Sequence, residues 1–273
     1  MCLQKLKRFT ILLCLLFSLP ILIGQLPFPN NKMATEKKEQ PHYVYAATDV
    51  PAPAPAPVTE QLEPFHVLML FTHSHESYKP IVEQTTGQKA VYDENTNIYS
   101  MQQMMAHYLQ LNDITPHFVD FDVMTEIKLT NAKFHQAYKI ARPVLANYLQ
   151  DSDYQLVIDF HRDSASKKVT TISHEEQTFA KIAFVVGADH AGFESNLAYA
   201  NALSEQLNSL VPGISRGIMK KQGTGVNGVY NQDLAPNMLL VEFGGIDNTE
   251  QELQRTMAVL AQAIRLAFIE SIV

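Results

Sequence analysis

Cysteine is nearly absent from this chain. Of 273 residues only Cys2 and Cys14 carry thiols, and both lie in an apolar N-terminal leader. The rest of the chain cannot form disulfides, and any metal there must be held by His, Asp or Glu. Basic charge is also scarce. The formal net charge is -7, and no basic run interleaved with aromatics follows residue 40. General nucleic-acid binding needs a basic surface and is excluded on this ground. No Gly-x-Ser-x-Gly elbow is present to support a serine hydrolase of that type. The Gly-rich stretch Gly223–Gly228 lacks the Gly-Lys-Ser/Thr ending of a phosphate loop. No internal repeat is found.

What is present begins with a targeting segment, residues 1–26. Lys5, Lys7 and Arg8 precede an apolar stretch from Phe9 to about Leu26, broken by Pro20 and Gly24. Its length lies between a signal-peptide core and a membrane span, and no small-x-small cleavage site follows directly. A signal anchor is the preferred reading, with a cleaved signal peptide next. The positive flank places the remainder outside the cytoplasm, tied to the membrane by the leader or secreted if the leader is cut. Residues 27–62 read as a linker, and the Pro51–Pro57 run of alternating Pro and Ala as an extended spacer.

The folded domain is expected over 63–273. Apolar runs predict strands at 66–72, 117–121, 155–160 and 237–242. Two further strands, 169–172 and 179–186, are candidates for a hairpin. Helical spacing predicts helices over 98–111, 131–149, 194–210 and about 250–270. Strands alternating with helices imply an α/β three-layer sandwich around a mainly parallel sheet.

Three strands end in groups that can do chemistry. Leu156-Val157-Ile158-Asp159-Phe160 runs into His161, Arg162 and Asp163. Val67–Phe71 runs into Thr72-His73-Ser74-His75-Glu76. Met238–Val241 runs into Glu242-Phe243-Gly244-Gly245. Open α/β sheets bind ligands at this edge. His73 and Glu76 have His-x-x-Glu spacing, and a distant His161 would complete a three-ligand zinc site with an open position. The competing reading is a polar loop and a core histidine. Glu242 is a candidate catalytic base; its structural alternative is an ion pair with Arg162 or Arg216. Asp159 shares a strand face with His161 and could orient it. Arg162 suits an oxyanion or a substrate carboxylate, or a surface ion pair. His75 is ambiguous: a ligand in place of His73, a substrate contact, or a solvated side chain. Asn231 and Asp233, after the Gly-rich stretch, are candidate substrate-loop residues.

These blocks resemble a known family. Thr72-His73-Ser74-His75-Glu76-Ser77-Tyr78 is similar to the Thr-His-x-x-Glu-Ser-Tyr signature of the stage II sporulation protein P family. Ile158–Ser164 is similar to its Asp-Leu-His-Arg-Asp block. Phe184–Gly187, Ser215–Ile218, Tyr230–Leu234 and Glu242–Thr249 follow in family order, so the resemblance spans about residues 66–265. Many members carry a His where this chain has Phe71. The resemblance implies a membrane-anchored peptidoglycan hydrolase with an N-acetylmuramoyl-L-alanine amidase-like zinc fold. It implies amidase and D,D-endopeptidase activity, and a role in engulfment with stage II sporulation proteins D and M. It makes His73, Glu76 and His161 the zinc ligands and Glu242 the catalytic glutamate. Readings from other classes are a non-catalytic wall-binding scaffold and a zinc carboxypeptidase.

Overall fold

The computed structural model describes residues 64–269. The leader and the Pro/Ala linker expected from the sequence lie outside the described residues. Among the described residues no helix is long and apolar enough to cross a membrane.

The chain forms a six-stranded sheet with helices on both faces. In chain order its strands are β1 (Phe65–Leu70), β2 (Ile114–Phe118), β3 (Leu156–Asp163), β6 (Ile182–Gly187), β7 (Ser215–Lys221) and β8 (Met238–Gly245). A separate hairpin joins β4 (Thr171–His174) to β5 (Gln177–Ala180). The sheet order is β2-β1-β3-β8-β6-β7. Only the β6–β8 pairing is antiparallel; the others are parallel. The helices are α1 (Lys79–Thr86), α2 (Gln102–Gln110), α3 (Val123–Leu129), α4 (Ala137–Asp151), the single turn α5 (Lys167–Thr170), α6 (Phe193–Leu210) and α7 (Glu250–Ile264).

The alternation of side chains along each strand sorts the core into two faces. Val67, Met69, Ile158, Phe160, Leu239, Val241 and Phe243 point to one face. They pack with Met105 and Leu109 of α2, Leu203 and Leu207 of α6, and Leu253, Met257 and Leu260 of α7. The opposite face carries Leu68, Leu70, Val157 and Met238, packed with Leu145 of α4. Thus three helices cover one face. On the other, α4 packs against the β1–β3 half and leaves room above β8, β6 and β7. Asp159, His161, Leu240 and Glu242 point to this second face, by the same alternation.

The fold class matches the sequence expectation, with local differences. The first strand stops at Leu70, and residues 72–75 form a turn. The strand expected at 117–121 lies at Ile114–Phe118, pairs only with β1 and forms the sheet edge. An edge tolerates Pro116, which breaks the apolar pattern. The hairpin exists, but its second strand ends at Ala180, and Ile182–Gly187 belongs to the main sheet. The helix expected from residue 131 becomes α-helical at Ala137 after the tight turn Phe134–Gln136, and the last α-helix ends at Ile264 in a wider turn. Helices α1 and α3 and strand β7 had no clear signal, being short or polar. Thr249 caps α7 through a box with Glu252.

Candidate metal centre

His73, Glu76 and His161 converge. One ligand atom from each lies within 4.8 Å of the others, and among the described residues this is the group of three or more metal-ligating side chains so arranged. The turn after β1 makes this possible. Glu76 N donates to His73 O at 2.9 Å, which puts both side chains on the same side of the turn. Tyr78, fully buried, donates its hydroxyl to Phe243 O at 2.6 Å and ties the turn to β8. Across the sheet His161 and Glu242 stand directly opposite each other on parallel strands.

The nitrogens facing the centre are both Nδ1. His73 Nδ1 is 3.5 Å from Glu76 Oε1, and His161 Nδ1 is 3.7 Å from Glu76 Oε2. His161 turns Nε2 to Asp159, at 3.1 Å. Asp159 is itself held by Thr72, whose N and Oγ1 donate at 2.9 Å and 2.6 Å. Tyr138 of α4 brings its hydroxyl within 3.5 Å of the same His161 nitrogen. The rings of His73 and Phe134 stack with centroids 4.4 Å apart.

The electrostatics follow from this packing. Burial alone would lower the His161 pKa, but Asp159, Glu76 and Glu242 together raise it to about 9. Burial would raise Glu76, yet a hydrogen bond from His73 and the charge of His161 hold it below the ordinary range. Glu242 behaves oppositely. Burial pushes it up to about 7, and the negative charge of Glu76 adds to this against the pull of His161. Its Oε2 is buried, and it has no hydrogen-bond partner among the described residues. A buried carboxylate oxygen left open is costly unless something else occupies the space it faces.

Neither arginine suggested as a structural partner takes Glu242. Arg216 pairs with Asp163. Arg162 donates from Nη2 to Val91 O at 2.7 Å and lies under the Tyr92 ring. Its backbone N donates to Glu76 Oε2 at 2.7 Å, and its buried Nε has no partner among the described residues. A cavity of about 480 Å³ contains the three clustered residues, Glu242 and Arg162, and runs on over Leu240, Val185 and Met219 towards Lys221.

The three residues expected to meet substrate do not line this cavity. His75 is buried and bonds through Nε2 to Asp122 at 2.9 Å, so His73 alone of the two joins the cluster. Asp122 also caps α3, which fixes His75 to that helix. Asn231 donates to Tyr138 O at 2.9 Å and accepts from Arg142 at 3.3 Å. Asp233 accepts twice from Arg142, at 2.8 Å and 2.6 Å. Both brace the chain against α4 and lie outside the cavity lining.

Several cavity residues escaped the sequence reading. Tyr92, Phe134 and Tyr138 line it although they sit in a loop or on a helix with no motif around them. Tyr230 lines it from a left-handed backbone, φ 54°, next to Asn231 at φ 60°. A bulky residue in that region is an outlier that functional sites tolerate.

Comparison with known proteins adds the following. A family model described as "Stage II sporulation protein P" matches residues 28–265. A Bacillus subtilis (strain 168) protein of that name is 35% identical over 190 residues, covering 69% of this chain and 47% of the relative. The aligned part thus spans about half the length of that curated relative. Two solved structures are similar at low identity. The CwlD amidase of Clostridioides difficile, in complex with the GerS lipoprotein, is 12% identical, with TM-score 0.47 over 76% of this chain and 98% of that one. An N-acetylmuramoyl-L-alanine amidase from Clostridium difficile 630 is 14% identical, with TM-score 0.44 over 77% and 98%.

Proposed function

This chain belongs to the stage II sporulation protein P family, and from that premise we propose that it is a zinc-dependent peptidoglycan hydrolase. The bond cut is the amide between N-acetylmuramic acid and the L-alanine of the stem peptide, with cross-link endopeptidase activity as a second action. The observation that carries this reading is the open oxygen of Glu242 beside the cluster of His73, Glu76 and His161.

The residues suit a zinc ion. Two imidazole nitrogens and a carboxylate oxygen are a common catalytic zinc donor set. Both Nδ1 atoms already face the Glu76 carboxylate, and Asp159 occupies the far nitrogen of His161 as orienting carboxylates do at metal sites. His73, Glu76 and His161 would hold the ion. Zinc, when bound, supplies Lewis-acid polarisation of the scissile carbonyl and acidifies water.

The chain's own groups do the rest. Glu242 takes the proton of the attacking water on its unpaired oxygen as the C–O bond forms and the carbonyl oxygen becomes an oxyanion, then gives that proton to the leaving nitrogen as the carbonyl re-forms and the C–N bond breaks. The free Nε of Arg162 offers a hydrogen bond to the developing oxyanion. Phe134, Tyr138 and Tyr92 wall the site and limit water. The N-terminal leader would keep the domain at the outer side of the membrane, where the wall is. Stage II sporulation proteins D and M are the proposed partners.

The test is a digest of purified peptidoglycan by the zinc-loaded protein, with and without chelator, products read by mass. Release of stem peptides from glycan, lost on chelation, supports the amidase. Glu242→Gln should lower turnover by about 10²–10⁴ while zinc stays bound. Wild-type activity in that variant would remove Glu242 from the chemistry. Binding to wall with no products would favour a scaffold, and trimming of free peptide ends a carboxypeptidase.

A further inference from the structure

A second cavity of about 480 Å³ adjoins the metal centre, lined by His75, Tyr92, Asp93, Glu94, Met124 and Phe134. Tyr92 and Phe134 line both cavities and form the ridge between them. They meet edge to face with centroids 6.1 Å apart. They remain 47% and 44% exposed, unusual for aromatics of this size. Each is held from beneath: Phe134 on the His73 ring, Tyr92 over the Arg162 guanidinium. The exposed faces are therefore fixed in place and directed outward beside the reaction centre.

The two cavities differ in charge. The metal cavity extends to Lys221, while Arg216 beside it is paired with Asp163. Lys221 has no ion-pair partner among the described residues within bonding range. That lobe suits an anionic peptide. The second cavity has no Lys or Arg in its lining and carries Asp93 and Glu94. Asp93 uses one oxygen on the backbone N of Asn95 and Thr96, and Glu94 uses one on Lys128. Each keeps a second oxygen able to accept. Fixed aromatic faces, an apolar Met124 and carboxylate acceptors form a surface for a neutral, hydroxyl-rich ring that offers C–H bonds on one face and O–H donors at its rim. The volume lies in the usual range for such a ligand, roughly 300–1,000 Å³.

We infer that the Tyr92–Phe134–Met124 cavity is the glycan subsite of the hydrolase, binding the amino sugar on the acyl side of the scissile amide while the stem peptide lies in the Met219–Lys221 lobe. This rests on the hydrolase reading above, and it gives that reading an orientation. A sugar whose lactyl carboxyl is already in amide linkage is uncharged, so the acidic rim accepts it. Glu94 is charge-compensated by Lys128, so Asp93 is the rim carboxylate that disfavours a stem peptide bearing free carboxylates.

The two lobes carry natural reporters, Met124 in one and Met219 in the other. The experiment uses the full chain, zinc-loaded, with Glu242→Gln to stop turnover and methionine methyls labelled. The probe is the N-acetylglucosaminyl-N-acetylmuramic acid disaccharide with its lactyl carboxyl capped as methylamide. Met124→Leu and Met219→Leu assign the two signals. The Met124 methyl should shift on titration and the Met219 methyl should not. Tyr92→Ala should weaken binding about tenfold, and Lys221→Met should leave it unchanged. A Met219 shift with Met124 silent would overturn the assignment, as would no shift in either up to millimolar probe. The parent reading is scored separately by the wall digest. Digestion with a silent Met124 sinks the subsite alone, and a Met124 shift with no digestion leaves the subsite standing while the hydrolase reading fails.

Discussion

Asp159 Oδ2 lies 3.1 Å from His161 Nε2, with both groups almost fully buried. Thr72 also holds the carboxylate, its N donating to Oδ1 and its Oγ1 to the same Oδ2. The pair fixes which imidazole nitrogen faces Glu76. Asp159→Asn keeps the size but removes the negative charge acting on His161 and sets an NH2 against one of the donors that now meet the two carboxylate oxygens. Zinc affinity should fall by about 10–100-fold, measured by chelator competition. Unchanged affinity would mean that packing by Tyr138 alone orients the ring.

Much of this centre was legible because strand ends announce themselves. Each apolar run marked a buried strand, and the polar residues after it could only lie at one sheet edge. The alternation that put Asp159 and His161 on one face is also a local property. What did not read out was the company each residue keeps. His75, Asn231 and Asp233 look as free as His73 in one dimension, but Asp122 and Arg142 claim them from 47 and about 90 residues away. Nothing local marks Tyr138 or Phe134 as neighbours of His73. Those contacts exist because α4 packs across β1 and β3, a long-range fact.

Zinc should stabilise the fold through the same three residues. At a hundredfold excess over Kd, binding to the native state alone adds about 2.7 kcal/mol. For a domain of this size that is a rise in Tm of roughly 5–10 °C. His161→Ala should abolish the rise in a thermal melt. A zinc-induced shift of wild-type size in that variant would place the metal elsewhere.

His66 Nδ1 and His117 Nε2 are 2.8 Å apart, so one ring donates to the other and only one proton fits between them. Burial and then the neighbouring His66 hold His117 below its ordinary pKa. The unfolded chain binds that proton more readily, so stability is present above about pH 6.5 and is lost as pH falls through the depressed value. Glu242, held up at about 7, takes up a proton over the same range and acts in the opposite direction. The His117 contribution is therefore read as the urea midpoint of the wild type relative to His117→Gln, and this difference should decline from pH 7 to pH 5. An equal slope in both proteins would remove this pair as its source.

Arg142 and Asp233 form a bidentate, partly exposed pair. Such pairs contribute about 0–1 kcal/mol. Asp233→Ala should therefore lower stability slightly, with KM for peptidoglycan fragments unchanged. A large rise in KM with normal stability would return Asp233 to the substrate-contact role its sequence position suggested.

Gly187 ends β6 where the chain that carries Tyr230 crosses it. A Cβ on Gly187 would meet Gly228 O at 2.5 Å, Gly228 C at 2.7 Å and Tyr230 Cδ2 at 2.9 Å. The first two are backbone atoms, and the crossing cannot be relieved by a side-chain rotation. Gly187→Ala must push the Gly228–Tyr230 segment outward, and Tyr230 already sits in a strained left-handed backbone. Overpacking of this kind costs about 1–3 kcal/mol. The displaced ring lines the wall of the metal cavity, whereas the three clustered residues lie on β3 and the β1 turn, which the shift does not touch. Gly187→Ala should thus lose turnover while keeping zinc affinity. Gly87→Ala is the control: its φ of 75° makes alanine strained, but nothing lies within 4 Å of the new Cβ. That variant should lose stability and keep turnover per folded molecule. If both variants lost turnover only in proportion to stability, Tyr230 would be a wall residue with no demand on its position.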